Sequence, residues 1–441
     1  MTALVLAACL IEIACLGIVR IGDLRTGVVA VAAGNSQIEV PMFWIPYAAA
    51  FLAYAVAVYE TRSKETQQSD PARFLVLMLS AAILFRITLL FSPPTLSDDI
   101  YRYVWDGRMQ QMGINPYVHA PDSPALASFR DIFHASINNR HISTIYPPLT
   151  QMAFWLTDRI WHSPYAMKIF FTLCDIGVVG VVLGMLRRRG LPLTRALIYA
   201  WNPLVLVEAA GSGHSDPLAV GLMLAALLAL LHGHPVGAPI LLALSFTAKF
   251  FSVVLLPAFY RHTHRIRSLL WFPVVIVLCY LPYADAGDRL FHGLLVYGDK
   301  WRFNDSVFTV LLYMTGSLEY SKAVIGVVFV SVMAFRFFQQ PDAVKTAYVL
   351  VGAYLILTPT FQPWYMLWIV PLLCVFPNRA WLLLSGLCMA SYHVLVLFAQ
   401  TGLWKENEWI RLVQFVPFYA LLIGDAIWKY AARRRVPYHA V

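Results

Sequence analysis

The stretch Leu96–Tyr117, LSDDIYRYVWDGRMQQMGINPY, is dense in acids, arginines and aromatics and lies between long apolar runs on either side. Ser97 fits a helix N-cap, Asp98 and Asp99 then fall in the first turn, and Gly113 with Asn115-Pro116 supplies the stop. This spacing predicts a short helix on which Asp99, Arg102, Tyr103 and Asp106 share one face. On an ordinary surface helix, two first-turn acids do no more than complement the helix dipole. At the mouth of a membrane-embedded body they are placed for chemistry.

Such a body is what the composition demands. Of 441 residues, 59% are hydrophobic and 13% charged, and the mean hydropathy is +0.65. A soluble domain fills its core well below that fraction, whereas a polytopic membrane protein needs apolar surface throughout. The net charge of +9 comes from Lys and Arg gathered in a few short connections. That pattern records topology; it builds no aromatic-interleaved basic face and excludes nucleic acid as a partner. The six cysteines fall inside apolar runs without ligand spacing, so they read as small buried hydrophobes. Residues 1–19 have no basic n-region and read as a retained first helix, not a cleaved signal peptide.

The expected class is all-α: a polytopic helical protein of about 12–14 spans. Apolar runs at 2–19, 41–59 and 72–92 precede the opening stretch, and Arg62, Lys64 and Arg73 mark the connection between the second and third as cytoplasmic. Residues 93–163 then form the longest hydrophilic excursion, on the outer side, within one integral membrane domain whose helical body covers 164–430. A basic tail at 431–441 completes it. Residues 149–161 are too short to span and are expected to lie as an interfacial or re-entrant helix. With that choice Arg187-Arg188-Arg189, Arg261/Arg265/Arg267, Arg336, Lys345, Arg379 and Lys429 with Arg433-Arg434-Arg435 all come out cytoplasmic, as do both termini. The run 236–260 is split at Lys249, an outer loop is expected over about 285–320, and the membrane is the cell inner (plasma) membrane.

Three groups therefore meet the outer face: Asp98/Asp99, the turn Glu208 to Asp216, and Thr358 to Tyr365. Moving a sugar off a phosphate carrier requires a carboxylate to take the acceptor proton, cations for the leaving phosphate and aromatic walls. Asp99 or Asp98 suits the first role, Arg102, Arg108 and Lys249 the second, and Trp105, Tyr146, Trp364 and Tyr365 the third. Each has a plain rival. Arg102 can pair with Asp98 at i, i+4; Lys249 can snorkel; His214 and Asp216 can cap a helix; Trp364 and Tyr365 can be belt aromatics. Arg86 is placed to meet an outer-loop acid or a lipid phosphate and receives no role.

The string from Ser97 to Arg108, followed by Gly113-Ile114-Asn115-Pro116-Tyr117, closely resembles the first outer loop of bacterial polyprenol-phosphate-mannose-dependent mannosyltransferases of the GT-C superfamily. Tyr146-Pro147-Pro148-Leu149, Trp201-Asn202-Pro203 through Gly213-His214-Ser215-Asp216, Ala248-Lys249-Phe250 and Gln362-Pro363-Trp364-Tyr365 are similar to further landmarks of that family in the same order. The resemblance covers roughly 85–400. It implies inverting transfer of a sugar, usually mannose, from a polyprenyl phosphate to a glycan or lipid acceptor outside the cytoplasmic membrane. By position it makes Asp99 the base, with Asp98 orienting it or binding acceptor. It implies no cofactor; a divalent cation on the two adjacent carboxylates is possible chemistry but not favoured. The competing classes are a transporter or lipid-linked sugar flippase, and a membrane partner without chemistry of its own. Repeat halves and midplane charges would mark the transporter, whereas here polar residues gather at one face.

Overall fold

The computed structural model describes residues 1–23, 39–63, 70–263, 266–339 and 342–434; Lys64, Arg265 and Arg435 of the charge reading lie outside them. Among the described residues the chain is helical with no strand, apart from one isolated bridge between Phe303 and Thr360. The protein is all-α and polytopic. Among the described residues, eight helices are long and apolar enough to cross a membrane, nine if Pro203–Gly211 and Asp216–Leu231, which meet at 120°, form one broken span. The expected 12–14 exceeds this because several apolar runs are short or interrupted, among them Gly237–Ala248 and Ala343–Leu357.

Three spans lead into the opening stretch: α1 (Thr2–Asp23), α2 (Glu39–Ser63) and α3 (Pro71–Leu90). Asp70 caps α3 by accepting from the Arg73 amide, and Pro71 sits at N1, where its missing N–H is no loss. After α3 come α4 (Asp99–Gln111), α5 (Pro148–Ile160) and α6 (Pro164–Arg188). At 13 residues α5 is no span; it packs on α4 through Phe154, which stacks on Tyr103 at 4.5 Å. The α4–α5 contact is close because position 107 has no side chain. A Cβ on Gly107 would lie 2.6 Å from the Phe154 carbonyl oxygen and 2.8 Å from Asp158 Cβ.

Beyond α6 the backbone is repeatedly broken. The apolar run 195–210 is interrupted at Trp201-Asn202, where the Asn202 side chain caps a new turn that begins with Pro203. That turn runs into a π-helical one, Val207–Gly211, before α7 (Asp216–Leu231). α8 (Gly237–Ala248) ends at Lys249, whose backbone is extended (φ −158°, ψ 131°), and α9 (Leu256–Thr263) resumes after a 3₁₀ stretch. The loop expected from 285 is instead largely helical. Helical structure continues to Lys300 with a kink at Gly287 (φ 55°, ψ −125°) and resumes at Val307–Thr315, so the true loop is short, over 301–306. The later helices include the spans α10 (Leu318–Phe338) and α12 (Glu408–Arg434) and the shorter α11 (Ala343–Leu357).

Two ends are defined by charge. Arg189, just past α6, pairs with Asp342 before α11, and the Phe376 ring receives both Arg189 (5.5 Å) and Lys345 (4.8 Å). The other end of α6, at Ser163, adjoins α4 and α5, about 37 Å away by helical rise. Arg86 meets no outer-loop acid. Its Nε donates to Asp175 of α6 at 2.5 Å and its Nη1 to the Ala82 and Ala200 carbonyls, all buried, so it joins α3, α6 and the Ala200 turn.

Substituting Gly107→Ala forces backbone against backbone, so it is expected to lower stability by about 1–3 kcal/mol. Gly177→Ala on α6, where an added Cβ meets nothing within 4 Å, is the neutral control. Thermal unfolding of both variants in detergent decides it; equal midpoints would show that α4 and α5 are not pressed together.

Candidate active site

Asp98, not Ser97, is the N-cap residue of α4; Ser97 Oγ instead accepts from the Asp99 amide at 3.3 Å. The two carboxylates share one donor: Asn138 Nδ2 reaches Asp98 Oδ1 at 2.6 Å and Asp99 Oδ1 at 3.0 Å. Asp98 is exposed and Asp99 half-buried, while Arg102, Tyr103 and Asp106 on the same helix are buried.

Arg102 pairs with neither Asp98 nor open solvent. Its Nε donates to Asp106 at 2.8 Å and its Nη1 to the Ile142 carbonyl at 3.0 Å, leaving Nη2 as its one unpartnered group. Asp106 also accepts from Gln151 Nε2 on α5 at 2.9 Å. The guanidinium is therefore internal structure, which corrects its reading as a phosphate contact. Arg108 is likewise engaged, donating to Asp131 at 2.6 Å; Asp131 Oδ2 also lies 3.0 Å from His162 Nε2, and His162 Nδ1 lies 2.5 Å from Asp158. Trp105 is no wall: it is 2% exposed among Met109, Leu126 and Ile137, with His134 5.1 Å away.

Lys249 is different. Where α8 breaks, its Nζ sits 2.7 Å from Asp216 Oδ2, and its side chain keeps 20% exposure. Asp216, fully buried, accepts from Trp368 Nε1 through its other oxygen at 2.6 Å. The ammonium also lies 5.4 Å from the Tyr365 ring and 5.8 Å from that of Trp368, within cation–π range. Tyr365 stacks on Trp368 at 4.3 Å, and its hydroxyl meets that of Tyr297 at 2.8 Å. Trp364 stacks on His214 at 4.0 Å. Behind it, His214 Nε2 is 3.2 Å from Glu208 Oε2, whose other oxygen accepts from Tyr392 at 2.9 Å. The 3.2 Å approach is too poorly aligned to be a hydrogen bond, and both imidazole nitrogens stay unpartnered.

Two contacts bring the lysine group to α4. Thr150 of α5 donates to the Ala248 carbonyl at 2.7 Å, satisfying the backbone where α8 stops. Gly213 (φ 74°) presses on the first turn of α4: a Cβ there would meet Ile100 and Lys168 side-chain atoms at 2.8 Å each. Electrostatics agree. Burial raises the Tyr103 phenol well above its usual pKa, and the carboxylates of Asp99 and Asp216 both add to the rise. One phenol thus senses both acids. Tyr146, edge-on to Tyr103 at 5.0 Å, is raised by burial and then by Asp99.

Of the expected residues, Lys249, Asp216, His214, Trp364 and Tyr365 thus cluster together, and Asp99 and Tyr146 adjoin them through Tyr103. Asp98 lies at the rim. Trp368, Tyr297, Asn138, Glu208 with Tyr392, and Lys168 were not singled out from sequence. Lys168 was detectable by the rule that marked Lys249, an ammonium within an apolar run. It is fully buried and donates to the Leu89, Leu90 and Ser92 carbonyls, holding the end of α3.

The Asp131 cluster sets a pH window. Burial alone would raise the Asp131 pKa, but hydrogen bonds from His162, Arg108 and the Phe133 amide outweigh it and bring the carboxyl to about 2. Asp131 and then Asp158 hold the His162 imidazolium up to about 9. A depressed acid stabilises above its ordinary value and loses that as pH falls through 2; a raised histidine stabilises below about 6.5 and loses that as pH climbs through 9. Thermal midpoints are expected to decline between pH 6.5 and 9, and His162→Gln to flatten that limb. An unchanged limb in the variant would remove His162 as its cause.

With the geometry in view, similarity to known proteins can be weighed. A model of the alpha-(1->6)-mannopyranosyltransferase N-terminal domain matches residues 4–264, and one of the MptB C-terminal domain matches residues 313–426. Alpha-(1->6)-mannopyranosyltransferase A of Mycobacterium tuberculosis is 25% identical over 185 residues, 41% of this chain and 36% of that protein. Its namesake from Corynebacterium glutamicum is 25% identical over 178 residues, 39% of this chain and 36% of that protein. The matched stretch therefore spans little more than a third of each relative, and no solved structure matches. Because the first model covers more than half of the chain and takes in both α4 and Lys249, this protein belongs to the alpha-(1->6)-mannopyranosyltransferase family of MptA and MptB.

Proposed function

We propose that the protein is a membrane glycosyltransferase that moves mannose from a polyprenyl phosphate carrier to a hydroxyl of a glycan or lipid acceptor, on the extracytoplasmic face of the plasma membrane. The observation that carries this reading is that buried Tyr103 feels both the half-buried carboxylate Asp99 and Asp216, the partner of the partly open Lys249 ammonium beside stacked aromatics. The N-terminal family match supports the sugar class.

In this mechanism the Asp99 carboxylate takes the proton of the acceptor hydroxyl as its oxygen attacks the anomeric carbon. The bond from that carbon to the phosphate oxygen breaks with inversion, and polyprenyl phosphate leaves with the electron pair. Lys249 stabilises the charge that grows on the phosphate. An ammonium has three N–H donors and Asp216 uses one, so two remain for phosphate oxygens. Asp216 keeps the side chain aimed, and Trp368 keeps Asp216 aimed. Trp364 and Tyr365 offer apolar faces to the sugar or the first isoprene units, and Tyr146 packs on α4 through Tyr103. Asp98, tied to Asp99 through Asn138, orients the base or receives the acceptor. The reading needs no cofactor, because the lysine supplies the cation.

The test uses membranes containing the protein, radiolabelled polyprenyl phosphate mannose and a mannose-terminated acceptor. Asp99→Asn is expected to lower label transfer by roughly 10²–10⁴-fold, and Lys249→Met by roughly 10²–10³-fold. Transfer that persists in Asp99→Asn would remove the base assignment. Uncleaved carrier appearing on the far leaflet would point to a flippase instead.

A further inference from the structure

A cleft that the proposed reaction does not use lies at the bundle end defined by Arg189 and Lys345. It is a narrow, half-open cleft between α9, the last turns of α10 and the first half of α11, with a cavity volume of about 10 Å³, so a bound group would sit at its mouth. Arg261, His262 and Arg336 line it, over an apolar floor that includes Met333, Phe337 and Leu350. No carboxylate is among its lining residues. Arg336 donates through Nη1 to Gln339 at 2.9 Å, while its Nε and Nη2 are enclosed and have no partner. The Arg261 guanidinium stands 5.2 Å from the Phe337 ring, held in place by a face that takes none of its N–H donors.

Cations gathered without a counter-charge, with two guanidinium donors shut away from water, make a site that lacks its anion. Guanidinium forks match the oxygens of phosphate. The level in the membrane is also informative. Arg336 lies in the last turn of a 21-residue span and Arg261 near the end of α9, so both reach headgroup depth. Only 6% of the α10 apolar window is buried, so the helix that borders the cleft leaves most of its apolar flank open. A soluble phosphate would need the cations alone; the apolar floor and open flank fit a headgroup with its acyl chains attached.

We propose that this cleft binds the phosphate of an anionic phospholipid from the leaflet opposite the Asp99 site. The assignment is independent of the mannosyl transfer reading, and its test does not use transfer as a readout. The full chain, purified and delipidated in neutral detergent, is titrated with phosphatidylglycerol, phosphatidylcholine or inorganic phosphate while retained lipid and thermal midpoint are followed. Phosphatidylglycerol is expected to stay bound and raise the midpoint. Arg336→Gln is expected to weaken that binding by about tenfold or more, since a charge-assisted hydrogen bond is lost. Arg73→Gln is the control: it removes a charge on the 83% exposed side chain paired with Asp70 and should change nothing. If Arg336→Gln does not fold, Arg261→Gln and His262→Gln read the same affinity. Equal binding of phosphatidylcholine, an equal loss in Arg73→Gln, or full reproduction of the shift by inorganic phosphate would each overturn the assignment.

Discussion

A charged pair is enclosed where the membrane-embedded backbone is broken, and the rest of the site depends on that pair staying satisfied. Lys249 and Asp216 meet at 2.7 Å with the acid fully buried. Taking two ions out of water costs several kcal/mol each, and mutual attraction offsets this only when the remaining donors and acceptors are also used. Here Trp368 satisfies the second oxygen of Asp216, and two aromatic faces attend the ammonium. The backbone is treated the same way. An α-helix that stops in an apolar setting leaves carbonyls bare, and at Ala248 the Thr150 hydroxyl fills the need. Because that hydroxyl belongs to α5, the break in α8 fixes the 93–163 segment as much as that segment covers the break.

The 93–163 segment in turn behaves as a packed cap. α4 and α5 approach through Gly107, and a polar relay from Arg102 to Asp106 and Gln151 to Thr144 runs through their contact. Each member takes more than one bond, which lets charge lie at 6% exposure or less without leaving acceptors bare. Rigidity here has a purpose. The first turn of α4 presents Asp99, and the base role proposed for it requires a place held within a fraction of an ångström. Gly213 shows the same constraint from the opposite wall, since a left-handed backbone pressed against Ile100 leaves no room for a side chain.

How much of this was legible in the sequence follows from what each signal measures. Composition and the apolar runs disclose the all-α polytopic class, since hydropathy sums over many residues. Lys249 was legible as a break and as a charge that needs a partner, because an ammonium placed in an apolar run is costly to desolvate and persists where a partner or ligand offsets that cost. Arg102, Arg108 and Trp105 were misread for one shared reason. Charge and ring chemistry say what a side chain can bind, and only packing says what already occupies it: Asp106, Asp131 and the Leu126–Ile137 core sit 4, 23 and about 20–30 residues away. Spacing alone could have offered Asp106 at i+4 as readily as Asp98 at i−4. Ser97 lost the N-cap position by one residue, the usual uncertainty at a helix end. Asn138, Glu208 and Tyr392 left no pattern at all, because their partners come from distant turns.

The count of spans has a physical reading of its own. Long uninterrupted helices such as α1, α3, α6 and α10 form the frame, whereas the site is assembled from a π turn, a 3₁₀ stretch after Lys249 and another at Pro363–Trp368. Continuous helices bury their backbone polar groups within themselves and can only present side chains. Broken ones turn inward and place short rigid elements end-on, at the level where α4 meets the bundle. Tyr365 and Trp368, three apart on one 3₁₀ turn, stack on each other for that reason and both reach the same ammonium. Irregular backbone within a membrane survives only where protein satisfies it. Its concentration around Lys249, and not along the lipid-facing α10 and α12, is therefore an argument from energetics that this end of the molecule is where the fold accepts cost in return for a site.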